Sequence, residues 1–327
     1  MPQNQLTTST IAIDCQTSLA KFKQITKNYS LFHYVFLIIA FLELFCLFLF
    51  FSFFAQSSYL ALSLGALFFT GFSYCVLLFY FQGKKPEQLL ALKENYITSC
   101  KTALSYTASA EHRLSLANEL YRFVNALHSL EYSYYKLPSF LKTIEPLLEK
   151  LSVWTYWKEV HNMKEILLLE AIDEHLELVK SNPIDLEPHA HLAENYITLA
   201  NLYRSPNKSW VPSAYLSYEM QQKFKLFMER ALEEFKIICH FSPESAWVYS
   251  QLAFTYHELH QPAQEIKEYE NLLNLLPNDK EVLLRLGTLY FQQGHSALGL
   301  RIYSQLQTLD PAQAKILISF YAAFLKT

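Results

Sequence analysis

The sequence predicts an all-α protein, a two-helix transmembrane hairpin followed by a helical solenoid, on three observations. Glycine is scarce, at 6 of 327 residues, while Phe and Tyr number 25 and 22, a composition that disfavours sheets built on tight turns. Two apolar runs of membrane-spanning length stand side by side in the first quarter of the chain. Pro243, Pro277 and Pro311 fall 34 residues apart, a fixed period of the kind that stacked helix pairs produce.

Residues 1–30 are polar, rich in Ser, Thr and Gln, and read as disordered. The apolar sequence starts only at Leu31, and no small-residue cleavage site follows it, so it is expected to stay in the mature protein. Residues 31–54 as a helix cover roughly 36 Å, more than the ~30 Å hydrocarbon core of a bilayer. Residues 59–81 form a second run of similar length, and the break Ala55, Gln56, Ser57, Ser58 between them reads as a turn at the far surface. Lys21, Lys23 and Lys27 precede the pair and Lys84, Lys85, Lys93 and Lys101 follow it, whereas the turn is uncharged. The positive-inside rule then places both termini in the cytosol.

Glu43 lies in the middle of the first run. A central acidic residue opposes insertion by about 3 kcal/mol, which the surrounding Leu, Ile, Val and Phe outweigh. It reads as a contact to the second helix near Ser63 or Gly71, or as a residue of an ion path.

Residues 83–150 read as a helical stalk or linker, with Pro86 at a helix start, a Tyr-rich stretch "LEYSYYKLP" and Pro138 ending the helix. From 151 to 327 the reading is a solenoid closed by a C-terminal helix, "AKILISFYAAFL", apolar on most sides. Phe320, Tyr321 and Phe324 of that helix are a candidate interface; packing into the array is the alternative.

The segment Leu283 to Pro311 carries Leu286, Gly287, Tyr290, Gly294, Gly299, Tyr303 and Pro311 at the spacing of a tetratricopeptide (TPR) repeat and resembles that family. The preceding unit supplies Leu252, Ala253, Tyr256, Tyr269 and Pro277, with Glu265 at the position of the small residue and His260 in place of the turn glycine. Ala231, Phe235 and Pro243 suit the second helix of another unit, and Leu192, Ala193 and Tyr196 its first. The two are joined by lengthened helices around Arg204 to Tyr215. Ala171, Ile172 and Pro183 suit the second helix of a still earlier unit, whose first helix would lie around Ser152 to His161.

The resemblance implies a concave face lined by the first helix of each pair. Here that face would carry Trp247, Ser250, Phe254, His257 and Glu258, then Glu281, Leu284, Thr288, Phe291 and Gln292, with Arg285 beside them. Glu194, Phe254 and Thr288 stand where some family members place a carboxylate-binding Asn, so recognition of a peptide C-terminus is not indicated. The implied role is a scaffold for a protein or peptide partner at the cytosolic face of a membrane. In the alternative, the hairpin oligomerises into a channel or remodels the membrane, with the repeats as assembly platform. The polar lead, close hairpin and helical tail also resemble, in topology alone, the inclusion-membrane (Inc) proteins that some intracellular bacterial pathogens secrete. The expected location is a bacterial inner membrane or, after secretion, a host membrane.

Other chemistries find no support. The net charge of −3 and the lack of basic runs argue against nucleic acid. Cys15, Cys46, Cys75, Cys100 and Cys239 are widely spaced and read as reduced thiols. His257-Glu258-Leu259-His260 has one residue too few for HExxH, and His189 and His191 point apart on a helix. No nucleophile elbow, Walker loop or dinucleotide fingerprint occurs, so no enzyme activity, metal or cofactor is expected.

Overall fold

The computed structural model describes residues 2–49, 59–107, 109–132, 134, 145–205 and 213–324. These form α-helices and two short 3-10 turns, with no strand among the described residues. The chain divides into two compact units, Met1–Glu174 and His175–Thr327.

Helices α1 (Pro2–Leu49), α2 (Tyr59–Ala103), α3 (Ala110–Ala126) and most of α4 (Glu145–Ser181) make the first unit. Both α1 and α2 are long and apolar enough to cross a membrane. Along 31–49 only Phe32, His33, Tyr34, Phe36, Ala40, Glu43 and Leu47 are shielded, and along 60–81 the shielded residues recur every three or four positions. That is the period of a two-helix seam. Everything outside the seam is exposed and apolar: Phe41, Phe48, Leu62, Phe68 and Phe79 are each more than 60% exposed. The turn residues Ala55–Ser58 lie outside the described residues.

Beyond the apolar zone the same helices join a conventional core. Leu89, Leu92 and Tyr96 of α2, Leu116, Leu120 and Phe123 of α3 and Val160, Met163 and Leu167 of α4 are all buried. The Tyr96 and Phe123 rings lie 4.8 Å apart. Ion pairs fasten the rim: Lys93 to Glu170 at 2.8 Å and Arg113 to Glu174 at 2.7 Å.

Three expectations change here. The polar lead is helical, because Cys15, Ser18, Phe22, Thr26 and Ser30 fall on one face of α1 and are buried. Thr26 Oγ1 also lies 2.7 Å from the Tyr134 hydroxyl. Pro86 does not start a helix but sits inside α2, where burial of Leu89, Leu92 and Tyr96 in the following turns outweighs the missing N–H. Residues 152–161 and 171–181 belong to the single helix α4, not to two helices of an early repeat; its buried residues Tyr156, Val160, Met163, Leu167 and Ala171 continue one stripe without a break. Pro138 lies outside the described residues.

The second unit is an all-α solenoid of TPR-like pairs: α5 (Leu186–Tyr203) with α6 (Tyr218–Phe241), α7 (Ala246–Glu258) with α8 (Pro262–Leu275), and α9 (Lys280–Gln292) with α10 (Ser296–Leu309), followed by α11 (Pro311–Phe324). Asp185, Ser217 and Asp279 cap the starts of α5, α6 and α9 with side-chain oxygens that accept from the first free N–H groups. The 34-residue period is written into the backbone. The N–H groups of Ser242, Leu276 and Asp310 close the second helices on the carbonyls of Ile238, Leu272 and Leu306, at 2.8, 2.9 and 2.7 Å. The turns between paired helices repeat as well. Gln261 N donates to Tyr256 O at 3.0 Å around His260 at φ 55°, and His295 N to Tyr290 O at 2.8 Å around Gly294 at φ 77°. His260 therefore holds a left-handed conformation that glycine adopts freely.

Candidate partner-docking face

The face offered by the first helices of the pairs is built by α7 and α9. On α7, Val248, Leu252, Ala253 and Tyr256 are buried, so the helix turns Trp247 and Phe254 outward at 41% and 38% exposure. These two residues are seven apart, about 10.5 Å along the axis, and share one side of the helix. Trp247 is held edge-on against the buried Phe235 ring, 5.8 Å between centroids. Such half-exposed, braced aromatics can accept apolar side chains with little loss of rotamer freedom.

Next to them lies a charged knot. Glu265 stands at the helix crossing that Ala231 and Gly299 fill in the neighbouring repeats, and it is 2% exposed. A carboxylate there needs partners. Arg285, from the following repeat, donates to Glu265 Oε1 from Nε at 3.2 Å and from Nη2 at 2.7 Å. Arg285 Nη2 also donates to His257 Nδ1 at 2.8 Å, and that nitrogen lies 3.2 Å from Glu265 Oε2. Burial pushes the phenol of the neighbouring Tyr269 above its ordinary range, with Arg285 opposing. Arg285 thus braces Glu265 across two repeats and holds His257 through the same guanidinium, and Glu258 is tied to Arg204 at 2.5 Å.

The same helix face is interrupted at Phe291. The sequence places this residue in the groove, whereas its ring is fully buried and stacks on Tyr321, 4.3 Å between centroids. Gly299 makes the room: a Cβ there would lie 2.7 and 2.8 Å from the Cδ1 and Cζ of Phe291. Gln292, one residue on, is exposed. Phe320 and Tyr321 are half-buried against the core around Leu283, Leu286, Leu306 and Leu317, so they serve first to close the array. The side chain of Phe324 lies outside the described residues.

Two features escaped sequence reasoning. A hollow of about 440 Å3 lies at the end of α5 and α7, lined by Tyr203, Arg204, Leu216, Phe224, Glu258 and His260. Only the length of the α5–α6 connection hinted at it. The role of Glu265 was likewise hidden, because a departure from a repeat pattern does not name the Arg that answers it.

Glu43 accepts a hydrogen bond from Thr70 Oγ1 at 2.8 Å, next to the expected Gly71. His189 is buried, its Nδ1 2.6 Å from Glu234 Oε2, whereas His191 is half-buried. No group of three or more His, Cys, Asp or Glu is placed to hold a metal among the described residues.

No protein-family model and no curated protein matches the chain. Solved structures similar to it are TPR proteins. TTC0263, a thermophilic TPR protein of Thermus thermophilus, shares 18% identity over 73% of this chain and 93% of its own, at TM-score 0.34. MamA AMB-1 shares 12% over 71% of this chain and 97% of its own, at TM-score 0.35. YrrB, a TPR protein with an unusual peptide-binding site, shares 13% over 68% of this chain and 97% of its own, at TM-score 0.32.

Proposed function

We propose that the protein is a membrane-anchored scaffold: the α1–α2 hairpin holds it in a bilayer with both termini cytosolic, and the α7–α9 face docks a protein segment through Trp247 and Phe254. One observation carries the anchor. The hairpin is built inside out, with Glu43, Thr70, His33 and Tyr74 on the seam and Phe, Leu, Ile and Val on the exposed sides. Each exposed Phe or Leu gains about 1.5–3 kcal/mol on leaving water, whereas helices in lipid associate through small and polar residues. Tyr80 and Lys84, hydrogen-bonded at 2.8 Å where the apolar zone ends, suit the bilayer interface.

Cys46 and Cys75 are exposed thiols on the hairpin, which makes the anchor testable. In membranes both are expected to resist a water-soluble maleimide and to react once detergent is added; equal labelling in both conditions refutes the anchor. The docking face is tested by capture from lysate of the source cell with the detergent-solubilised full chain, beside the Trp247→Ala, Phe254→Ala double variant. A partner kept by the first and lost from the second, at equal helicity, supports docking there. Retention by both removes the face from the proposal.

A second reading, self-assembly through the hairpin, draws on Gly65, where an added Cβ meets nothing within 4 Å and a second helix could approach closely. Under that reading Glu43→Gln alters conductance or oligomer size, whereas a scaffold retains its partner.

A further inference from the structure

In the first unit a cavity of about 710 Å3 opens where α1 and α2 leave the apolar zone beside α4. Its two ends differ in chemistry. One end is mostly apolar: Phe36, Leu37, Ala40, Leu67 and the bare backbone of Gly71, all within the membrane-length stretches, with Thr70 and the His33–Tyr74 pair beside them already hydrogen-bonded within the hairpin. The other end carries Ser30, Thr155, Glu159 and Lys85, with Trp154, 77% exposed, at the rim.

Two polar groups at that end lack partners. Ser30 is 4% exposed and its Oγ makes no hydrogen bond. Glu159 is 7% exposed; its Oε1 receives Lys85 Nζ at 2.5 Å while its Oε2 receives nothing. A buried carboxylate oxygen is destabilising until a donor reaches it. The Lys85 ammonium lies 4.7 Å from the centroid of the Tyr29 ring and pairs with Glu159, while the Tyr29 hydroxyl donates to Gln88 Oε1 at 2.9 Å. A bound molecule that brings a hydrogen-bond donor would satisfy the free carboxylate oxygen.

We propose that this cavity holds one uncharged membrane lipid ending in a hydroxyl, with the headgroup at Glu159 and Ser30 and the hydrocarbon body between Leu37, Ala40, Leu67 and Gly71. The charge pattern selects the headgroup. Lys85 already neutralises Glu159, so the site is uncharged overall, and a phosphate would set its oxygens against the unpartnered Glu159 Oε2. A hydroxyl supplies the donor that Glu159 lacks and can also pair with Ser30, which gives or accepts. The hydrophobic end lies at bilayer depth, so the source is the membrane; this assignment rests on the anchoring read above. Diacylglycerols and sterols share this chemistry.

The test uses the full chain in phosphatidylcholine vesicles, each doped with one diazirine probe: a diacylglycerol, a sterol or phosphatidylserine. Photolysis is followed by mass spectrometry of the adducts. The expected result is a saturable adduct from the diacylglycerol or the sterol, mapped to peptides around Ser30, Gly71 or Thr155. Which of the two reacts identifies the source. Gly71→Phe adds a side chain to the cavity wall, where an added Cβ meets nothing within 4 Å, and should lower that adduct at least tenfold. Glu159→Gln replaces a charged acceptor by a neutral one and should lower it about fivefold. Equal labelling by phosphatidylserine, or an adduct unchanged in Gly71→Phe, overturns the assignment in favour of bulk annular lipid. Maleimide protection of Cys46 and Cys75, measured on the same vesicles, separates the two failures. Protected thiols with unspecific labelling sink the lipid site alone, and reactive thiols sink the anchor with it.

Discussion

Replacing Gly299 by Ala tests whether Phe291 belongs to the core or to the docking face. An Ala Cβ at this position would sit 2.7 and 2.8 Å from Phe291 Cδ1 and Cζ, where carbon atoms ordinarily stand about 3.5–4.0 Å apart. The ring has no free direction of retreat, being fully buried and stacked on Tyr321. Overpacking of this kind is destabilising by about 1–3 kcal/mol. Against it, Gly→Ala inside a helix is worth about 1 kcal/mol in propensity. The net loss is therefore up to about 2 kcal/mol, a factor of up to about 30 in local opening. Hydrogen exchange by mass spectrometry on the full chain in detergent reads this directly in peptides from α9, α10 and α11. Adding Phe291→Leu should restore most of the protection, since the smaller side chain vacates the space. Exchange that slows in Gly299→Ala would mean that propensity acts unopposed. Phe291 would then be free to swing outward, and the core assignment would fall.

Three further outcomes follow from the same packing. Arg285→Ala leaves Glu265 buried with a weakened set of partners and should destabilise the α8–α9 region by about 1–3 kcal/mol; adding Glu265→Ala should recover most of that, and strictly additive losses in thermal unfolding would refute the coupling. His260→Gly should stabilise by about 1 kcal/mol, because the turn holds φ at 55° without help from the imidazole, and an unchanged melting temperature would count against strain there. Asp310 accepts from the N–H groups of Gln313 and Ala312 and from Lys280, and these hydrogen bonds hold its carboxyl below the ordinary 3.8. Its contribution is thus present above pH 3.8 and lost as pH falls through the lowered value. Amides at the start of α11 should lose protection on acidification in the parent protein and show a flatter profile in Asp310→Asn.

How much was legible can be judged at single residues. The repeat register was open to reading because its determinants are local and periodic. Leu252 and Leu286, Tyr256 and Tyr290, and the prolines at 243, 277 and 311 recur at 34, and the backbone closes each helix at the matching carbonyl. Phe291 was misplaced because a first-helix position that faces outward in one repeat turns inward where the next helix carries a glycine. That compensation lies eight residues on and in another helix. The N-terminal stripe was missed because Cys15, Ser18, Thr26 and Ser30 carry almost no hydropathy signal, and their burial depends on α2, α3 and Tyr134 arriving from elsewhere in the chain.

The sequence by itself determined the helical class, the two membrane-length helices and the 34-residue solenoid register, since each follows from periodicity along a continuous stretch. Tertiary structure alone decided that Glu265 is answered by Arg285 from the next repeat, that Phe291 is core, and that Ser30 and Glu159, 129 positions apart, border one cavity. Those facts depend on which side chains of distant segments meet, and hydropathy along the chain does not encode a pairing whose two halves are each ordinary where they stand.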